Sequence, residues 1–166
     1  ATLGVYEMGS TFKTFNTALA LDSGLIHIGD RFDTAHPIVA GRFKIHDFHS
    51  ENRALNVAEI FAHSSNIGSA LMVKRVGAER QRAFLSTLGL TEKASYELPE
   101  VGAPLVPPGN WSELTSMTIS FGHGISVNAV QLVGAAATLL NDGIPVHPTL
   151  LKKNAPPAPN AEEIGR

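Results

Sequence analysis

Apolar residues at Phe12, Phe15, Ala18 and Leu19 recur with the period of a helix, and Asp22-Ser23-Gly24 offers a stop. The spacing predicts a helix over 10–22, with Gly24 suited to the left-handed residue that ends one. Over 25–48 the period changes. Arg42-Phe43-Lys44-Ile45-His46 alternates polar and apolar side chains after a turn at Ala40-Gly41, which predicts short extended segments. The helical period returns with Leu55, Val57, Ile60 and Phe61, predicting a helix over 53–62. Ile67, Ala70, Leu71 and Val73 predict another over 65–76, ended by Gly77, and a third follows over 78–88, ended by Gly89. Residues 91–109 are rich in proline and glycine and read as loop. Asn110 is placed to cap a helix carrying Trp111, Leu114 and Met117. Val130, Leu132, Val133, Ala136, Leu139 and Leu140 predict a last helix over 128–140, with Asn128 or Ser126 as its cap. Ile144-Pro145-Val146-His147-Pro148 reads as an extended exit. The pattern predicts a mainly α chain with short β segments, one domain over 1–153 and a flexible Pro-rich tail over 154–166. No internal repeat is visible.

Composition narrows the function classes. The chain has 166 residues, 43% of them hydrophobic, enough for one domain with a real core. Its net charge of −2 advertises no basic face for nucleic acid. It has no cysteine, which excludes disulfides and thiolate metal sites. No apolar run approaches the roughly 20 residues that cross a bilayer.

Three segments carry candidate chemistry. In the first, Tyr6-Glu7-Met8-Gly9-Ser10-Thr11-Phe12-Lys13, Ser10 and Lys13 are i and i+3 neighbours at a helix start. A hydroxyl becomes a good nucleophile when a base takes its proton, and a desolvated amine can be that base. The positive end of the helix dipole lies where an oxyanion would form, so the arrangement suggests acyl transfer through a serine ester. A capping serine beside a solvated lysine would look the same. The second segment, His63-Ser64-Ser65-Asn66, lies at a joint between two predicted helices. Ser64 and Asn66 are two apart and can face one cleft, a hydroxyl to relay a proton and a carboxamide to hold an amide. Capping is the plain alternative here too. The third, Ser120-Phe121-Gly122-His123-Gly124, is a glycine-rich turn whose function the residues alone do not state.

The histidines are candidate metal ligands. His46 and His49 are three apart, with His36 and His63 as the other candidates. Zinc needs three or four converging donors, and this segment reads as strand or loop. No metal and no organic cofactor are expected. The histidines read instead as surface groups and as hydrogen bonds ordering the loop before Ser64.

Taken together, the three segments resemble the serine D,D-transpeptidases known as penicillin-binding proteins. Ser-x-x-Lys followed by Ser-x-Asn is the family's ordered pair, completed by a later Lys-Thr-Gly. Ser64 follows Ser10 by 54 positions, a separation that suits the family. GVYEMGSTFKTFNTALALDSG resembles the nucleophile helix of the monofunctional class B enzymes. NVAEIFAHSSNIGSALM and FGHGISVNAVQLVGAAATLLNDG resemble the division-type, septal subgroup. The resemblance covers about residues 1–150. Met8 departs from it, standing where the family often has proline. No Lys-Thr-Gly or Lys-Ser-Gly occurs in the chain.

The resemblance implies the helical part of the penicillin-binding protein and serine β-lactamase-like transpeptidase fold, present here as a fragment. It implies Ser10 as nucleophile, Lys13 as base, Ser64 as proton relay and Asn66 as holder of the substrate amide, with a bond to Lys13 as a further possibility. Half of the oxyanion hole would be the Ser10 N–H; the other half would come from the missing strand. Losing one such donor costs on the order of 100- to 1,000-fold in rate, so the isolated fragment is expected to be crippled. The implied ligands are peptidoglycan stem peptides and β-lactam antibiotics. The implied partners are a glycosyltransferase and other division proteins. The implied location is the bacterial cell envelope, at the external (periplasmic) face of the inner membrane, through an anchor outside this chain. A serine β-lactamase or β-lactam sensor, a non-enzymatic helical module and a binding segment of a division complex remain the alternatives.

Overall fold

Phe12 and Phe15 bury one end of the first long helix and Leu19 and Ala20 the other, and the remaining elements are arranged along that stripe. The computed structural model describes residues 2–152, so the expected mobile tail over 154–166 lies outside the described residues. A 3₁₀ turn, Gly9–Phe12, runs directly into α1, Lys13–Asp22. Short strands follow: β1 (Arg31–Asp33), β2 (Ile38–Ala40), β3 (Phe43–Ile45) and β4 (Ala54–Asn56). Then come α2 (Val57–Ala62), α3 (Asn66–Val76), α4 (Ala78–Thr87), α5 (Glu113–Ile119) and α6 (Ala129–Leu140).

The strands form two antiparallel pairs. β1 pairs with β4, Phe32 opposite Leu55, and β2 pairs with β3 through the turn at Gly41 and Arg42. Two isolated bridges, Tyr6 to Val127 and Leu105 to Ser126, lay the approach to the first helix beside the segment that precedes α6.

The predicted helix over 53–62 is corrected by this pairing. Residues 54–56 are strand because Leu55 turns inward against β1, and the helix starts only after Asn56. There Asn56 Oδ1 accepts from Glu59 N at 2.8 Å while Glu59 Oε2 accepts from Asn56 N at 2.8 Å, a reciprocal capping box. The predicted cap at Asn110 is also corrected. Ser112 caps α5 through Thr115 N at 3.1 Å. Trp111 precedes the helix, its Nε1 donating to Pro107 O at 3.0 Å. Of the two candidates for α6, Asn128 is the cap, in a second capping box with Gln131.

α1 bridges two cores. Phe12 and Phe15 pack with Leu85, Leu88, Leu90, Trp111, Ile119 and Ile125. Leu19 and Ala20 join Ile26, Phe32, Leu55, Val57, Ile60 and Met72. A third cluster, including Ile67, Val73, Met117 and Phe121, lies where α3 meets α5. The 144–148 segment folds back along α6, Val146 N donating to Thr138 Oγ1 at 3.0 Å. Among the described residues, no helix is long and apolar enough to cross a membrane.

Candidate active site

Ser10 lies in the 3₁₀ turn and not in regular α-helix, which matters for its reach. Side chains three apart eclipse one another in a 3₁₀ turn, bringing Ser10 directly over Lys13. Lys13 Nζ donates to Ser10 Oγ at 3.1 Å. Ser10 itself is exposed, and its N–H belongs to the first turn, whose amides have no carbonyl one turn back to receive them.

Lys13 is 2% exposed, sandwiched in sequence between the buried residues Phe12 and Phe15. Burial pushes its pKa down to about 8, while the Asp47 carboxylate pulls the other way. Its ammonium group has three donors and three acceptors within reach. Besides Ser10 Oγ these are Ser64 Oγ at 2.9 Å and Ser64 O at 2.6 Å.

Ser64 reaches Lys13 because of how α2 ends. Ser65 N donates to Ile60 O at 3.0 Å and Ser64 N to Phe61 O at 3.1 Å, the bond pattern of a Schellman motif. Ser64 therefore occupies the left-handed position, at φ 54°. Glycine is the usual residue there, and the same bond pattern after α4 has Gly89 and after α5 has Gly122. At the α2 end a hydroxyl-bearing residue takes this strained conformation instead.

Ser65 and Asn66 begin α3. Ser65 Oγ accepts from Gly68 N at 2.9 Å and donates to Asp47 Oδ2 at 2.7 Å, while Asp47 Oδ1 accepts from Ile67 N at 2.9 Å. Asp47 thus anchors the start of α3 from the loop after β3. Asn66 Nδ2 donates to His46 O at 3.1 Å. Asn66 is not bonded to Lys13, whose donors are already taken. Its Oδ1 has no partner among the described residues.

The glycine-rich loop also reaches the site. A Cβ on Gly122, which sits at φ 85°, would lie 2.0 Å from Gly9 O, so only glycine lets the two backbones touch. Next to this contact, His123 Nδ1 lies 3.0 Å from Glu7 Oε2, and Gly124 N donates to Glu7 Oε1 at 2.7 Å.

The structure brings Ser10, Lys13 and Ser64 within hydrogen-bond distance and leaves Asn66 at the head of α3, two residues after Ser64. Asp47, Glu7 and Asn16 were missed. Asn16 is 4% exposed and ties α1 to α3 by donating from Nδ2 to Ser69 O at 3.1 Å. A signal existed: Asn16 stands three residues after Lys13 on the same buried face. The candidate histidines are exposed and scattered: His36 Nδ1 lies 3.7 Å from Asp33 Oδ2, His63 Nδ1 3.3 Å from Glu51 Oε1, and His49 stacks edgewise on Phe48. Among the described residues no group of three or more metal-ligating side chains converges.

Residues 1–164 match the family model described as the penicillin binding protein transpeptidase domain. A probable peptidoglycan D,D-transpeptidase FtsI of Caulobacter vibrioides is 42% identical over 94% of this chain and 26% of its own length. A probable peptidoglycan D,D-transpeptidase PenA of Neisseria meningitidis is 32% identical over 99% of the chain and 28% of its own length. The chain therefore spans about a quarter of the length of these relatives. Among solved structures, the apo transpeptidase domain of Burkholderia pseudomallei penicillin-binding protein 3 superposes with a TM-score of 0.91 at 26% identity, over 99% of this chain and 50% of that one. Motif geometry, family model and relatives agree, and this chain belongs to the transpeptidase domain family of the class B penicillin-binding proteins.

Proposed function

We propose that this chain carries the acylating residues of a peptidoglycan D,D-transpeptidase. One observation carries the reading: a single buried amine, Lys13, lies within hydrogen-bond reach of two hydroxyls, Ser10 Oγ at 3.1 Å and Ser64 Oγ at 2.9 Å. In the protonated state it donates to both hydroxyls and to Ser64 O. On losing one proton it keeps two N–H groups and gains a lone pair. One N–H stays on Ser64 O, which can only accept, and the other on Ser64 Oγ. The lone pair then faces Ser10 Oγ–H.

Ser10 Oγ attacks the carbonyl carbon of the penultimate D-alanine of a stem peptide, and its proton passes to Lys13 Nζ. The oxyanion meets the Ser10 N–H at the head of the turn. When the C–N bond breaks, Ser64 passes a proton to the departing D-alanine amine and recovers one from Lys13. An ester on Ser10 remains. The amine of a second stem peptide attacks that ester, giving the cross-link and restoring the Ser10 hydroxyl. Asn66 Oδ1, which has no partner among the described residues, is the acceptor for a substrate N–H. A β-lactam follows the same first step and stays as the ester.

In this reading the full protein works at the external face of the bacterial inner membrane, beside a glycosyltransferase and other division proteins. The relatives' names, peptidoglycan D,D-transpeptidase, support peptidoglycan as the substrate.

The test is intact mass after incubation of the full-length protein with a penicillin, alongside Ser10→Ala. A lasting adduct on the native protein and none on the variant is expected. An adduct that forms and quickly disappears would replace transpeptidase with β-lactamase, and an adduct retained by Ser10→Ala would remove Ser10 from the role.

A further inference from the structure

Glu7 stands three residues before Ser10, outside the helix, and its carboxylate is bound by a distant part of the chain. One oxygen lies 3.0 Å from His123 Nδ1 and the other accepts from Gly124 N at 2.7 Å. A carboxylate can only accept, so His123 Nδ1 carries the proton and donates. Beside this pair the backbones of Gly9 and Gly122 touch. The turn that holds Ser10 has no side-chain cap at Met8. Within the turn Thr11 Oγ1 donates to Met8 O at 2.6 Å. The turn runs straight into α1, and its entrance is held from outside by the Tyr6–Val127 bridge and by the loop after α5.

Stability does not account for the pair. Glu7 and His123 are 47% and 59% exposed, and ion pairs this open add little to folding stability. Position does account for it. Ser10 is exposed, it depends on a turn without a cap, and its Oγ must stay aligned with Lys13 at 3.1 Å while its N–H faces the oxyanion.

We propose that Glu7 is a positioning residue for the nucleophile, aimed by the His123 Nδ1–H and Gly124 N–H donors so that the Gly9–Ser10 turn is locked against the loop after α5. The inference rests on Ser10 being the nucleophile. The two donors also hold the Glu7 carboxyl below the usual carboxylate range, His123 more than Gly124, so it stays ionised as the lock requires. Because Glu7 is bonded to the loop after α5 and not to Ser10, its loss is expected to act on the acylation step and to leave reversible binding of the ligand alone.

Stopped-flow acylation of the full-length protein by a fluorescent penicillin separates the two quantities. Glu7→Ala and His123→Ala are each expected to slow the acylation step about tenfold or more, the scale of a small misplacement at a reacting atom. The dissociation constant of the preceding reversible complex should change less than about twofold, and the thermal midpoint less than about 4 °C. The double variant should be no slower than Glu7→Ala, because both changes break one device. His123→Asn, whose amide N–H falls near the place of Nδ1, should recover most of the rate. Normal acylation by Glu7→Ala would overturn the proposal. So would His123→Asn as slow as His123→Ala, or a rate loss matched by loss of melting temperature. A native protein that forms no adduct, or a Ser10→Ala variant that does, would instead bring down the nucleophile assignment itself.

Discussion

Lys13 shows how one residue combines opposed requirements. In the proposed acylation it must be buried enough to lose its proton near neutrality, yet it must touch two hydroxyls. At a pKa of about 8, about a tenth of the molecules hold it neutral at pH 7, whereas an ordinary lysine would be neutral in well under one in a thousand. Below that pKa the ammonium has no lone pair for the Ser10 proton. The acylation rate of the full-length protein should therefore fall about tenfold per pH unit as pH drops below about 8. The Asp47 carboxylate favours the charged amine, so Asp47→Asn leaves burial less opposed and should move that limb to lower pH. A limb unmoved in Asp47→Asn would show that the carboxylate matters only as an anchor for α3. Phe12 and Phe15 flank Lys13 in the sequence, but a solvated lysine fits the same pattern, so its burial was not legible there. The influence of Asp47 was not legible, because it acts across the loop between β3 and α3.

At the scale of elements, the site is built from helix ends. Ser10 sits in the first turn before α1, Ser64 in the left-handed position after α2, and Asn66 at the first residue of α3. The α2 end holds strain that glycine would relieve by about 1 kcal/mol. Ser64→Gly is thus expected to be more stable than Ser64→Ala by about that amount in denaturant unfolding, although both lack the hydroxyl and should acylate slowly. Equal stability would mean that the φ of 54° costs nothing. Helix crossings near the site are equally exacting. A Cβ on Gly68 would lie 2.5 Å from Ile60 Cγ1, and Ile60 is fully buried. Gly68→Ala should therefore destabilise by about 1–3 kcal/mol, and an unchanged unfolding midpoint would show that α2 and α3 can part freely. Most helix periods were readable because they repeat within a turn or two. The strand at 54–56 was hidden because Leu55 suits either a helix or a strand, and only pairing with β1 decides between them.

At the scale of the whole molecule, α1 links the two larger cores, so damage at one end should not stay local. The separations behind the site are long: Ser64 meets Lys13 across 51 residues, and Gly124 meets Glu7 across 117. The sequence by itself determined the order of the motifs, the amphipathic helices and the 3-residue step from Ser10 to Lys13, because those depend on neighbours one turn apart. The resemblance of those motifs was enough to place the chain in its family. Only the tertiary structure decided that Lys13 is dry, that its third contact is Ser64 O and not Asn66, and that Glu7 is held by His123. Such facts depend on which distant groups displace water around a given atom, and periodicity along a chain carries no record of that.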